Sequence, residues 1–269
     1  MQLDLRPVAL ALLLVAPAAA LPAVLAPTAP APVQDDELPD KRDEVKELIG
    51  AFEDHTKEKG KEDTEAVAVL DQLLQEFEQS GPKDREAIVK ALDKSFKLKR
   101  KEHEDGTKEN RVAYAAAVCL GKMAPESVKP LAKASTGKPF KDDEVLWRRV
   151  VISLGQTGHE DAFDPLMDLI DHKKPIIEGA AIEALGNFRD LPQKQRKEAV
   201  NQILKTILPL KSTVDSDSED QITRERYDTI GSPAITTLQK LTDENIRDFV
   251  EWQRWWNKNK NEDWDGDDD

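Results

Sequence analysis

A single cysteine, Cys119, in a chain of 269 residues excludes any disulfide within the chain, so packing alone must hold the fold. Cys119 lies in Ala115-Ala116-Ala117-Val118-Cys119-Leu120 with no histidine or basic cluster beside it to favour a thiolate. A small buried hydrophobe is therefore expected there rather than a reactive thiol. Positive charge is in deficit, with 39 Lys and Arg against 53 Asp and Glu and a formal charge of -14. That balance argues against a nucleic-acid partner, because phosphate binding needs a concentrated positive field. Aromatic residues make up only 5% of the chain, yet four of the five tryptophans fall after residue 250, so the aromatic surface is concentrated at one end. No segment alternates apolar and polar residues for long enough to predict a sheet.

Catalytic signatures are missing as well. None of the four histidines, His55, His103, His159 and His172, belongs to H-E-x-x-H, and each stands among charged neighbours, which reads as a solvated surface histidine rather than a zinc ligand. Pro139 takes the hydroxyl position after Gly137-Lys138, so no phosphate loop forms, and no serine sits in a G-x-S-x-G elbow. The expectation is no catalytic residue, no cofactor and no metal site. Two acidic clusters bear on the last point. Asp215-Ser216-Asp217-Ser218-Glu219-Asp220 is one. In the other, Asn261, Asp263, Asp265 and Gly266 match positions one, three, five and six of a calcium loop, but no residue of the sequence fills the bidentate position twelve. It reads as an acidic tail.

What is present begins with a leader: Arg6, an apolar run from Val8 to Ala16, then Ala18, Ala19 and Ala20. That order of charge, short apolar core and small residues is what a secretory signal peptidase reads. A lone anchor competes with it, but Pro17 and Pro22 and a run short of the ~20 residues a bilayer needs favour cleavage. Residues 1–21 are thus expected to be a signal peptide and 22–39 a disordered tether rich in Ala and Pro. Export to the periplasm or outside the cell would follow.

Leu-Gly recurs at Leu120-Gly121, Leu154-Gly155 and Leu185-Gly186, 34 and 31 residues apart. Eight residues before each Leu stand Val112, Leu146 and Ile177, and four and three before it stand Ala116-Ala117, Val150-Val151 and Ala181-Ile182. These offsets share one helical face. The Gly suits a left-handed helix cap or a close helix crossing. A second helix follows each turn, with Pro130-Leu131 and Pro165-Leu166 at matching places and Glu198 to Leu208 after the third. Each unit is a helical hairpin that must stack on its neighbours to hide its apolar stripe.

This pattern, from about Asn110 to Leu208, resembles the HEAT-like repeats, including the short variety first associated with phycobilisome lyases. The resemblance implies an all-α, right-handed solenoid of stacked hairpins. A fourth, degenerate unit keeps Ile230, Ala234, Ile235 and Leu238 at the same offsets, with Gln239 in place of Gly. Ser232-Pro233 reads as an N-cap and first helical position, so that helix is expected to start late. The expected organisation is an N-terminal helical cap or divergent repeats over 40–104, with helices at Asp40 to Glu53, Thr64 to Phe77 and Pro82 to Lys97. Repeats follow over 105–241, interrupted by a mobile acidic loop at 211–220. A tryptophan-rich capping helix over 242–264 and an acidic tail over 265–269 complete the chain.

Leu241-Thr242-Asp243, Phe249, Trp252, Trp255-Trp256 and Trp264 resemble a tail found on exported bacterial HEAT-like proteins, in which Leu-Thr-Gly precedes a W-x-x-W-W helix; Asp243 replaces the Gly. At about 100 degrees per residue, Phe249, Trp252 and Trp256 share one stripe that should cap the last repeat, while Trp255 falls at its fringe, free to stack on a ligand. The function expected is a non-catalytic scaffold that binds a protein or peptide, as a monomer. His159, Glu160, Asp164, Asp168, Asp171 and His172 on the exposed turns form the candidate surface, with Trp255 apart from them. An envelope carbohydrate binder using tryptophan platforms, or a lyase-like enzyme whose site the sequence hides, are the alternatives.

Overall fold

The computed structural model describes residues 38–57, 59–100, 109–140, 142–217 and 219–265. The leader and nearly all of the 22–39 tether lie outside the described residues, as do His103 and the last four residues of the acidic tail.

Among the described residues every regular element is helical. In chain order they are α1 (Arg42–Lys57), α2 (Asp63–Gln79), α3 (Pro82–Lys94), α4 (Arg111–Leu120), α5 (Val128–Ser135), α6 (Glu144–Gln156), α7 (Phe163–Met167), α8 (Pro175–Leu185), α9 (Gln193–Ser216), α10 (Gln221–Thr242) and α11 (Phe249–Asn259). α2, α4, α6, α8 and α10 pack each on the next, and the other helices line the stack alongside, with α1 on α3, α3 on α5 and α11 on α9. The stack therefore runs on through the N-terminal helices without a break in pairing.

The repeat register accounts for the core. Val112, Ala116, Ala117 and Leu120 of α4, Leu146, Val150, Val151 and Leu154 of α6, and Ile177, Ala181, Ile182 and Leu185 of α8 are all buried. The equivalent Ile230, Ala234 and Leu238 of α10 are buried too, while Ile235 is only partly covered. Each large aliphatic side chain so buried contributes about 1.5 to 3 kcal/mol. Helix starts are set by aspartates. Asp143 accepts from the Leu146 amide at 2.9 Å before α6, Asp220 from Thr223 at 3.0 Å before α10, and Asp248 from Val250 and Glu251 at 2.9 and 3.0 Å before α11. A cap of this kind stabilises a helix by about 1 kcal/mol.

The glycines after the repeat leucines serve the close crossing and not a left-handed cap. Gly121 and Gly186 have ordinary helical φ of -61° and -65°, and Gly155 lies inside α6. A Cβ on Gly155 would stand 2.5 Å from the Ala184 Cβ and 2.8 Å from its carbonyl oxygen, so α6 and α8 touch there through backbone. After α10 the left-handed conformation falls on Asp243, at φ 61° and ψ 19°, which takes the turn that glycine occupies in the resembling tails. Asp is one of the few side chains that tolerate this conformation.

Three expectations at the C-terminal side are corrected. The segment 211–220 is not a loop: α9 continues to Ser216, carried by buried Leu210 and a Lys211–Asp215 pair one turn apart at 2.5 Å. Only 217–220 lie between the helices. α10 does not begin at Pro233 after a Ser232 cap but twelve residues earlier, at Gln221 after Asp220, and carries Pro233 inside it. An internal proline costs about 3 kcal/mol, and packing of α10 along both α8 and α9 offsets it. The tryptophan-rich helix is also shorter than 242–264, since α11 spans only Phe249–Asn259.

Candidate interaction surface

The proposed surface residues fall on a short stretch built from two turns. His159 precedes a 3-10 turn at Glu160–Ala162 that runs directly into α7. Its Nδ1 accepts the Asp161 amide at 3.2 Å, so this ring caps the turn. His172 acts likewise on the next turn, accepting the Lys174 amide at 3.2 Å, and its ring meets Trp147 edge-on at 4.9 Å. Burial pushes the His172 imidazole below its ordinary pKa, and the charges of Lys173 and Lys174 push the same way. The reading of every histidine as a solvated surface group is thus corrected for His172, which is half-buried against Trp147 because tertiary packing brings α6 beside that turn. Asp171 is exposed but committed, accepting from Gln202 at 2.7 Å and Thr206 at 3.0 Å on α9.

Glu160, Asp164 and Asp168 remain, all exposed and spaced four residues apart along the turn and α7. Among the described residues none of the three has an ion-pair partner. They form a short row of like charge on a segment anchored from below by buried Ala162, Phe163 and Leu166.

Trp255 belongs elsewhere. Its indole nitrogen donates to Glu244 at 2.9 Å, and its ring meets Trp252 at 5.5 Å and Trp264 at 5.4 Å. The expected division between a buried Trp256 and a fringe Trp255 is corrected: both are half-buried, and Trp252 with Phe249 forms the buried cap. The helical wheel failed here because Trp264 folds back over both rings, lying 6.1 Å from Trp256. The acidic tail is correspondingly not a free solvated segment at its start, since Asp263 and Asp265 bond to Gln193 and Arg196 of α9.

Two buried ion pairs escaped the sequence reading. Glu178 of α8 is 0% exposed and takes a forked guanidinium from Arg226 of α10, with contacts of 2.8 and 2.6 Å. Burial drives its carboxyl above the usual range, and Arg226 opposes that shift. The signal was an acid, one of two with Glu183, inside the otherwise apolar stretch Pro175–Leu185. Asp63, which opens α2, lies 2.9 Å from Arg100 with both side chains almost wholly covered, and burial raises its pKa against the charge of Arg100. The Cys119 thiol is buried as expected and is pushed up to about 11, mainly by burial, with the Asp71 charge adding to the rise. A cleft of about 450 Å³ lies between α1 and α3, with Val45, Ile49 and Ala87 on its floor and Arg42, Lys46 and Lys83 around it. Among the described residues no helix is long and apolar enough to cross a membrane.

Comparison with known proteins agrees with this architecture. Residues 140–212, from the turn before α6 into α9, match the family model described as HEAT repeats. Among solved structures, the crystal structure of an engineered protein is similar at 18% identity, covering 81% of this chain and 96% of that chain, with a TM-score of 0.36. That likeness is too loose to carry an argument. No curated protein matches the chain.

Proposed function

We propose that this HEAT-repeat chain is a scaffold that binds a cationic segment of a protein or peptide partner along the row Glu160, Asp164 and Asp168. The observation that carries this reading is the row itself: three exposed carboxylates at four-residue spacing, with no ion-pair partner among the described residues, on a turn and helix whose inner face is buried. A rigid acidic row on a packed support loses little conformational freedom on binding, which favours recognition of an extended basic segment. His159 and His172 hold the two turns in shape and do not contact the partner directly. Trp255 is not a free stacking platform, since Trp252 and Trp264 lie against it and its indole N–H is donated to Glu244; this disfavours the carbohydrate reading. The proposal includes export, which rests on the leader alone.

The test compares the wild-type chain with a Glu160→Gln, Asp164→Asn, Asp168→Asn triple variant in affinity capture from envelope fractions of the producing cells, at low and high salt. Partners that are captured by wild type, released by salt and lost by the triple variant support the reading. Equal capture by the two proteins overturns it. N-terminal sequencing of the protein from the same fractions should begin near residue 21, and recovery of the intact leader from the cytosol would remove export from the proposal.

A further inference from the structure

Among the described residues none after α11 forms a further helix, yet four of them are held in detail. Gln193, the first residue of α9, uses its side-chain amide twice: Nε2 donates to Asp263 Oδ1 at 2.7 Å and Oε1 accepts the Trp264 backbone amide at 3.2 Å. Lys197 donates to the Glu262 carbonyl, and Arg196 pairs with Asp265. The Trp264 ring lies 5.1 Å from the Lys197 ammonium and 5.8 Å from the Arg196 guanidinium, with Trp255 and Trp256 on its other sides. Its indole N–H donates to the Asn259 carbonyl at 2.9 Å.

This is the chemistry by which a surface reads a peptide, with one amide addressing backbone and side chain together, cations placed for carboxylates, and an aromatic recess for one ring. The contact differs from the apolar cover of the stack, which Phe249 and Trp252 supply and bury by themselves. The receptor side is also built independently of the tail. Arg196 is fixed by donating from Nε to the Leu191 carbonyl at 3.0 Å and from Nη1 to the Leu241 carbonyl at 3.2 Å, which leaves Nη2 directed at Asp265. In a chain of net charge -14, this pair of neighbouring cations facing an aromatic recess is a local reversal of sign.

We propose that Gln193, Arg196 and Lys197, with Trp255 and Trp256, form a binding site for a tryptophan-bearing acidic peptide, and that Asp263-Trp264-Asp265 occupies it as an intramolecular ligand. The site is distinct from the carboxylate row on α7 and takes a ligand of opposite charge, so it stands or falls separately from that reading. A tethered ligand acts at an effective concentration on the order of millimolar, so a free peptide competes poorly until the tail is weakened or displaced.

The test uses the full-length chain and a fluorescein-labelled synthetic peptide of residues 261–269, read by anisotropy. Two variants open the site: Trp264→Ala, which removes the ring, and Asp263→Asn with Asp265→Asn, which keeps the ring and removes the charges. The proposal expects at least one of them, confirmed as folded by a cooperative melt, to bind the peptide about tenfold or more tightly than wild type does. Adding Arg196→Glu to that variant should abolish binding. Failure of both opened chains to bind overturns the proposal. So does loss of the folded state in both, because the tail would then be a required cover and not a ligand.

Discussion

The middle of the stack and its C-terminal end are closed by opposite means. Where α6 meets α8, the contact is made of small residues, with Gly155 against the backbone of Ala184, and the helices approach until a single added carbon would not fit. At the C-terminal side of the described helices, α11 packs on α9 and large rings do the covering: Phe249 and Trp252 are buried, with Trp255, Trp256 and Trp264 clustered beside them at steep interplanar angles. Repetition allows intimate backbone contact because each face meets a near copy of itself. The face that meets α11 has no such copy opposite it, so it is covered by area and by polar clamps.

The sharpest way to break the comparison is Trp252→Ala, which should lower stability by about 3 to 5 kcal/mol in denaturant unfolding, as a fully covered aromatic is lost from the end. Leu154→Ala should cost about 2 to 5 kcal/mol from the middle, while Lys173→Ala, an exposed change, should leave the midpoint nearly unchanged. Equal midpoints for those two variants would contradict the register of the repeats. Gly155→Ala tests the close crossing itself: an overpacked contact should cost about 1 to 3 kcal/mol even though alanine is the better helix former. A stabilised variant would mean that α6 and α8 have room between them. Trp255→Ala and Trp256→Ala should each cost about 1 to 2 kcal/mol and lie close to one another in thermal melts, because both rings are half-buried under Trp264. A gap of several kcal/mol between them would restore the simple helical-stripe account.

The smallest expected effect is in pH dependence. His172 has its folded pKa below the ordinary value of 6.5, so the folded state binds fewer protons than the unfolded one. The stability associated with its neutral ring is complete above about pH 6.5 and is lost as pH falls through the folded pKa. His172→Gln should therefore flatten the decline of melting temperature between pH 7 and 5. An unchanged slope would show that the contact with Trp147 leaves the ring's protonation free.

The repeats were legible because their information is local. Spacing of eight, four and zero residues before each Leu-Gly places side chains on one helical face whatever the partner, and those side chains are the buried ones. The α9–α10 region was misread by rules that are equally local. Ser232-Pro233 has the form of a helix start, and the acidic run after Lys211 has the composition of a loop. Long-range packing overrode both, since α10 lies along α8 and α9 and Arg226 reaches the buried Glu178. Of the candidate surface, the exposed carboxylates Glu160, Asp164 and Asp168 could be picked out by position. That Asp171 is tied to α9 depends on residues 31 and 35 positions away in the chain, whereas the two histidine caps are local, each accepting the amide two residues on.

By itself the sequence determined an all-helical stack, its repeat register and the burial of Cys119, because helical periodicity and the apolar stripe are set by near neighbours along the chain. Only the tertiary structure decided that the repeat glycines make crossings, that a proline stays inside α10, and that Trp264 returns to lie on Arg196 and Lys197. Those outcomes depend on which surfaces meet at separations of roughly 30 to 70 residues. There the energy of a formed contact outweighs local preference, and no spacing rule carries that information.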